Sequence, residues 1–233
     1  MSDSTQTIVI TGISRGIGRA VAERFAAGGW QVLGCASGQA GLDALRQTLP
    51  EAKTWAVNLR DKAQTQAFAQ QILAEYGPPA ALLNNAGIFR PGSLTQEADG
   101  DFEAQMALNL AAPYYMCKAF GAAMAQAGSG TIVNLGSTAS ITAYPNGASY
   151  CISKFALHGL TQVLREELKP AGVRVVSILP GATLTDSWAG TDLPPERFMA
   201  PQDVAETVWL ACNLPPRTVI ESIVLRPQLG DIG

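Results

Sequence analysis

The chain predicts an α/β fold built on a doubly wound, parallel sheet of seven strands. Three observations carry that expectation. Short apolar runs recur from end to end, several of them nearly continuous, as strands covered on both faces read. Longer stretches with helical spacing of apolar residues separate them, and this alternation argues crossovers between parallel strands. The 233 residues suffice for one well-buried domain, and neither a linker nor a solenoid period is marked.

A first run at 7–11 leads into a glycine-rich turn at 11–18, which opens a helix at 16–27. A second run at 31–35 precedes a helix at 42–48, and a third at 54–57 precedes one at 63–76. The fourth, 81–84, reaches the long helical stretch 102–126. The fifth, 131–135, is followed by a helix at 149–169, and the sixth, 174–179, by one at 201–213. A seventh run at 220–225 closes the series. One segment breaks the rhythm: 181–200 is rich in Gly, Thr, Asp and Pro. A long connection at the carboxyl end of a strand is where ligand lids occur in open α/β sheets. Residues 182–200 are therefore expected to form a substrate lid within a single domain, 1–233, with an exposed loop as the plainer alternative.

Hydrophobic residues make up 47% and charged residues 15%, which excludes a disordered chain. A net charge of −3 gives no footprint for nucleic acid or an anionic membrane. No apolar stretch approaches the roughly 20 residues that a membrane span needs. The polar start Met-Ser-Asp-Ser-Thr-Gln does not read as a secretory signal, so a cytoplasmic location is expected. The four cysteines, Cys35, Cys117, Cys151 and Cys212, form no Cys-x-x-Cys pair. With His158 as the single histidine, no metal site is expected.

Tyr150 and Lys154 stand four residues apart in Tyr-Cys-Ile-Ser-Lys. On a helix such positions share a face, about 5–6 Å apart at Cβ. An ammonium beside a phenol favours the phenolate. Bringing a tyrosine from ~10 to neutrality takes roughly 4 kcal/mol of such preference. The pair reads as a general acid/base, with a half-buried core aromatic as the structural alternative. The turn Thr11-Gly12-Ile13-Ser14-Arg15-Gly16-Ile17-Gly18 reads as a nucleotide site. Its glycines allow a sharp bend and close approach of a pyrophosphate, whose charge a helix N-terminus favours. The spacing is Gly-x-x-x-Gly-x-Gly rather than Gly-x-Gly-x-x-Gly.

That spacing, with the later motifs, resembles the classical branch of the short-chain dehydrogenase/reductase family over nearly the whole chain. Asn84-Asn85-Ala86-Gly87 ends the fourth strand, as the family's Asn-Asn-Ala-Gly motif does. Asn109 falls in the next helix, where the family places a structural and catalytic asparagine. Ser137 follows it by twenty-eight residues and precedes Tyr150 by thirteen, intervals similar to those of bacterial 3-oxoacyl-carrier-protein reductases. Pro180-Gly181 matches the family's Pro-Gly turn after strand six. The ending at 220–228, with Arg226-Pro227, looks more like sepiapterin-reductase-like members than like reductases that finish in a Val-Asp-Gly-Gly turn.

The resemblance implies a Rossmann fold and hydride transfer between NADP(H) and a small carbonyl or alcohol. Tyr150 is then the proton donor or acceptor, and Lys154 lowers its pKa and binds the nicotinamide ribose. Ser137 holds the carbonyl oxygen. Asn109 contributes its backbone carbonyl, in a distorted helix, to a water linking Lys154 to solvent. Cofactor contacts are expected from Gly12, Ser14, Arg15, Gly16, Ile17 and Gly18 in the turn, from Asn85, Ala86 and Gly87 after strand four, and from Pro180, Gly181 and Thr183 after strand six. Tyr150 and Lys154 complete that set.

Sites that prefer NAD usually carry a carboxylate at the end of strand two. Here Cys35-Ala36-Ser37 offers none, and Arg15 stands where similar family members meet a 2′-phosphate with a basic residue. NADP(H) is therefore expected over NAD(H), with Ser37 as a further hydroxyl contact; a solvated loop charge is the alternative for Arg15. Asn58-Leu59 replaces the family's Asp-Val or Asp-Leu pair, and the Asn58 carbonyl still suits an adenine amino group. Substrate contacts are expected from Phe89, Ile141, Tyr144 and Trp188, with Arg90 and Asn146 nearby. His158 and Cys151 are expected to pack rather than react.

The stretch 102–126 carries Tyr114, Tyr115, Met116 and Phe120, a face suited to pairing in a homodimer or homotetramer. A second class of function stays open: a catalytically silent nucleotide-binding protein of this fold, serving as a redox sensor or assembly subunit. Silent members usually lose the Tyr, the Lys or the Ser, all of which this chain keeps.

Overall fold

A computed structural model describes residues 5–231. Its strands are β1 (Thr7–Thr11), β2 (Gln31–Ala36), β3 (Lys53–Ala56), β4 (Ala81–Asn84), β5 (Gly130–Leu135), β6 (Val173–Pro180) and β7 (Ser222–Leu225). They form one sheet in the order β3-β2-β1-β4-β5-β6-β7, with every neighbouring pair parallel. The chain winds outward in one direction from β1 and in the other from β4. These two strands are neighbours, Ile8 of β1 lying opposite Val32 on one side and Ala81 on the other. Such a reversal opens a crevice at the carboxyl ends of the strands, where open α/β sheets bind ligands.

The helices are α1 (Gly16–Ala27), α2 (Gln39–Thr48), α3 (Lys62–Tyr76), α4 (Asp101–Met106), α5 (Ala112–Ala127), α6 (Ala148–Leu168) and α7 (Pro201–Asn213). The alternation within β1 shows why both faces are covered. Ile8 and Ile10 point into a core with Phe25, Leu42, Leu45 and Val208, from α1, α2 and α7. Val9 points the other way, into a core with Phe68, Ile72, Met116 and Phe120, from α3 and α5, flanked by Leu164 and Leu168 of α6. Burying a Leu, Ile or Phe side chain stabilises the fold by about 1.5–3 kcal/mol, so a one-residue slip of β1 would reverse both cores.

The stretch expected as one helix over 102–126 is three pieces. Between α4 and α5 lies a π-helical turn, Ala107–Ala111, with Asn109 at its centre. Pro113 supplies the reason. A proline has no N–H for the carbonyl four residues back and its ring crowds that carbonyl, which here belongs to Asn109. Widening the turn relieves the crowding. The last strand is shorter than expected because Ile220 and Glu221 lie outside it. Helix α2 begins earlier, at Gln39.

The connection at 181–200 is closed at its base. Met199 N–H donates to Ala182 O (3.0 Å) and Leu184 N–H donates to Met199 O (2.9 Å). Within it are two single 3₁₀ turns, Asp186–Trp188 and Pro195–Arg197. Trp188 packs edge-on against Phe198, with ring centroids 5.0 Å apart.

Candidate active site

The glycine turn is fixed to the end of β4. Gly12 and Gly16 have φ of +70° and +54°, the left-handed region that only glycine enters without strain. Gly12 N–H donates to Cys35 O at 2.8 Å. Thr11 Oγ1 accepts from the N–H of Asn85 and of Ala86, each at 3.0 Å. The Asn85 amide returns two bonds, to Thr11 O (2.9 Å) and Gly12 O (3.1 Å). The space left is small: a Cβ on Gly18 would lie 2.2 Å from Gly12 O and 2.5 Å from Asn85 Nδ2. Helix α1 has no side-chain cap and no acidic residue in its first turn. The helix's own first turn thus supplies no carboxylate to its amides, which suits a phosphate.

Along the same edge, Ser137 follows β5 while Tyr150 and Lys154 lie in the first turns of α6. Lys154 is buried, its Nζ donating to Leu135 O at 2.9 Å and lying 5.8 Å from the Tyr150 ring centroid. Burial pushes the lysine down to about 8. Burial likewise holds the Tyr150 phenol above its ordinary value, while the Ser137 hydroxyl beside it pulls the other way. This corrects the expectation of a phenol made acidic by Lys154: desolvation outweighs an ammonium that is bonded to a carbonyl. Burial therefore favours the protonated phenol. Ser137 Oγ also accepts from Ala139 N–H at 3.1 Å, which anchors it at the start of the turn Thr138–Ser140.

Asn109 sits behind this group. Its side-chain oxygen accepts from Ile88 N–H (2.9 Å), and its amide donates to Ile88 O (2.9 Å) and Ser153 Oγ (3.0 Å). Ser153 in turn donates to Tyr150 O at 2.7 Å. Gly87 fits between, where a Cβ would stand 3.2 Å from Asn109 Oδ1 and 3.8 Å from Lys154 Nζ.

A sequence profile of short chain dehydrogenases matches residues 6–194. The chain is 32% identical to the sepiapterin reductase of Chlorobaculum tepidum over 97% of each chain. It is 31% identical to the 3-oxoacyl-[acyl-carrier-protein] reductase of Haemophilus influenzae over 86% of this chain and 87% of that one. A crystal structure of a metagenomic short-chain oxidoreductase in complex with NADP superposes with a TM-score of 0.85 at 33% identity, covering 98% and 99% of the two chains. The chain belongs to the short-chain dehydrogenase family.

In this short-chain dehydrogenase the remaining expected residues fall into two groups. Ser14, Arg15, Ser37, Pro180 and Gly181 stand at or just beyond the carboxyl ends of β1, β2 and β6. Arg15 is exposed and pairs with Asp186 across the turn at 2.8 Å, and Gly16 faces Thr185. The connection 181–200 therefore touches the glycine turn, a contact between residues 171 positions apart that no local pattern announces. Ile17 is half-buried beside the α1 core. Others are already engaged. Leu59 is buried in a core, and Asn58 Oδ1 accepts from Arg60 N–H (3.2 Å). Thr183 is buried, its hydroxyl donating to Gly181 O.

On the substrate side, Phe89 lies edge-on to Tyr150, with centroids 5.0 Å apart. Ile141 and Tyr144 are exposed in the loop that precedes α6, and burial, then the nearby Tyr150, raises the Tyr144 phenol. Trp188 packs within its own connection. Arg90, expected near the substrate contacts, is paired with Asp101. Asn146 holds a left-handed φ of +60° and accepts from Gly92 N–H (2.9 Å). His158 lies apart, against Ser177 and Gln162. Sequence reasoning missed Gln105, bonded to the Arg90 backbone, and Glu97, whose carboxylate accepts from Ser149 N–H (3.0 Å) at the start of α6. Both act on residues distant in sequence, so no local pattern announces them.

Proposed function

We propose that the protein is an NADP(H)-dependent oxidoreductase, reducing a ketone or aldehyde to an alcohol or running the reverse. The observation that carries this function is the convergence of Ser137, Tyr150 and Lys154 on the strand edge that also presents the glycine turn. The cofactor fits the residues present: the glycine cradle would be filled by a Cβ at Gly18, and neither the N-cap side chain nor the first turn of α1 caps its amides. Gly12, Gly16 and the α1 N-terminus would hold the pyrophosphate, Arg15 and Ser37 the 2′-phosphate, and Lys154 the ribose. When bound, NADP(H) supplies or accepts the hydride.

The protein's own part is proton transfer. Tyr150, kept protonated by burial, donates its hydroxyl proton to the developing alkoxide. Ser137 donates a hydrogen bond to the same oxygen and so stabilises its charge. Lys154 stabilises the phenolate that remains. Pro113 leaves the Asn109 carbonyl without its α-helical partner, free to accept from a proton path to Lys154. The connection 182–200 acts as a lid over the crevice, within a single domain. The enzyme works in the cytoplasm as a homodimer or homotetramer; of the face expected to pair, Met116 and Phe120 are instead buried in the core, leaving the exposed Tyr114 of α5 with Ile152, Phe155 and Val163 of α6.

The deciding experiment incubates the full chain with NADPH and a panel of aldehydes and ketones and follows loss of NADPH absorbance. NADPH binding with no turnover, unchanged in Tyr150→Phe, would instead mark a silent nucleotide-binding protein. The pH dependence has a defined sign. Lys154 is charged below about 8 and neutral above it, while Tyr150 stays protonated across that range. Reduction is therefore expected to be flat below about pH 8 and to lose about tenfold in kcat/KM per pH unit above it. Initial rates between about pH 6 and about pH 10 check this. Arg15→Ala is expected to weaken NADPH binding about tenfold, the low end for hydrogen bonds to a charge at an exposed site, with NADH unaffected. Fluorescence titration with both cofactors measures it, and an unaltered preference would remove Arg15 from cofactor selection.

A further inference from the structure

We propose that Gln105 is a positioning residue that acts through Phe89, and that the wall it fixes selects carbonyl compounds with a flat, uncharged apolar substituent. This rests on the oxidoreductase function above and names its substrate class. Gln105 is fully buried in α4. Its Oε1 accepts from Arg90 N–H at 3.1 Å and its Nε2 donates to Arg90 O at 3.4 Å. Asn109, four residues on, makes the same pair of bonds to Ile88. The residues on either side of Phe89 are thus each held at both backbone polar groups. A buried glutamine is unfavourable unless both ends are bonded, and the Arg90 peptide satisfies both. Asp101, also on α4, holds the Arg90 guanidinium.

What this leaves free is the Phe89 ring. It is 42% exposed, in T-shaped contact with the Tyr150 ring at 73°. Ile141 and Tyr144 are likewise exposed, and Tyr144 lies near Tyr150. A substituent attached to the carbonyl that Tyr150 protonates therefore meets an aromatic edge whose position the 88–90 backbone sets. Aromatic contacts of this geometry favour a flat ring over a puckered one of equal size. The guanidinium next in sequence is neutralised by Asp101, so the wall offers no cation to a carboxylate or phosphate.

The test uses the full chain with NADPH and two ketones of similar size, acetophenone and cyclohexyl methyl ketone. Gln105→Leu is expected to lower the acetophenone preference in kcat/KM by about fivefold, through KM, with the KM for NADPH within about twofold. Gln105→Glu keeps the acceptor for Arg90 N–H and should retain most of the preference. In a Phe89→Ala background, Gln105→Leu should add nothing to the change in preference. An unchanged preference in Gln105→Leu, or an equal change with and without Phe89, overturns the proposal. A reading independent of turnover places 4-fluorophenylalanine at position 89 and records its fluorine resonance. A shift toward the free amino acid in Gln105→Leu, or in Gln105→Asn (one methylene too short to reach Arg90) should the leucine variant not fold, supports positioning, and an unmoved resonance refutes it. A chain that shows the shift but reduces no carbonyl refutes the oxidoreductase function and the substrate class together, while Gln105 keeps its place as the residue that fixes Phe89.

Discussion

Tyr150→Phe is expected to lower kcat for carbonyl reduction by about a thousandfold, the middle of the range for losing a positioned general acid. The substitution removes one hydroxyl and keeps the ring, so the edge contact with Phe89 survives. Proton transfer is an interaction of the transition state alone, so the loss falls on kcat and kcat/KM together. Affinity for NADPH should change by less than about threefold, because the cradle is built from the glycine turn and α1. Single-turnover kinetics and a binding titration separate the two quantities. A variant that keeps a tenth of the rate would mean that another group supplies the proton.

Gly18→Ala is the second large effect, and it acts through sterics. The new methyl would stand 2.2 Å from Gly12 O, a backbone atom, and 2.5 Å from Asn85 Nδ2. Neither is the loose end of a flexible side chain, because Asn85 is bonded to both Thr11 O and Gly12 O. Relief requires the turn to peel away from β4. Overpacking of this kind costs about 1–3 kcal/mol, which in a chain of this size lowers Tm by roughly 3–10 °C. Affinity for NADPH should fall by more than about tenfold, because the displaced amides are those proposed to hold the phosphates. Differential scanning fluorimetry and cofactor titration measure the two losses. A variant with wild-type Tm and affinity would show that the turn tolerates a Cβ.

Much of this architecture could be read from the chain because the signals are local. The near-continuous runs at 81–84 and 131–135 became β4 and β5, since strands covered on both faces have no polar side to show. The glycine turn, Ser137, Tyr150 and Lys154 were each visible as short patterns, and the sheet order brings them to one edge. The break in 102–126 was also present, as Pro113, but apolar spacing runs through a single added residue without marking it. What spacing does not encode is pairing at a distance: Arg15 with Asp186, Glu97 with Ser149, Gln105 with Arg90. The sign of the Tyr150 shift was misjudged for a related reason. Spacing placed an ammonium near the phenol, but burial and the carbonyl that binds that ammonium are tertiary facts.

The π turn at 107–111 has a mechanical consequence. Each residue added to a helix swings everything beyond it by about 100°. One surplus residue here offsets the bearing of α4, which grips the 88–90 segment, from that of α5, which seats Met116, Phe120 and Met124 against the sheet. The two helices behave as separate shafts joined by a fixed coupling. Repacking α5 need not turn Gln105 away from its peptide, and remodelling the mouth of the crevice need not loosen the core. Deleting one residue of the coupling would lock both shafts to a single bearing, and one of those two attachments would have to let go.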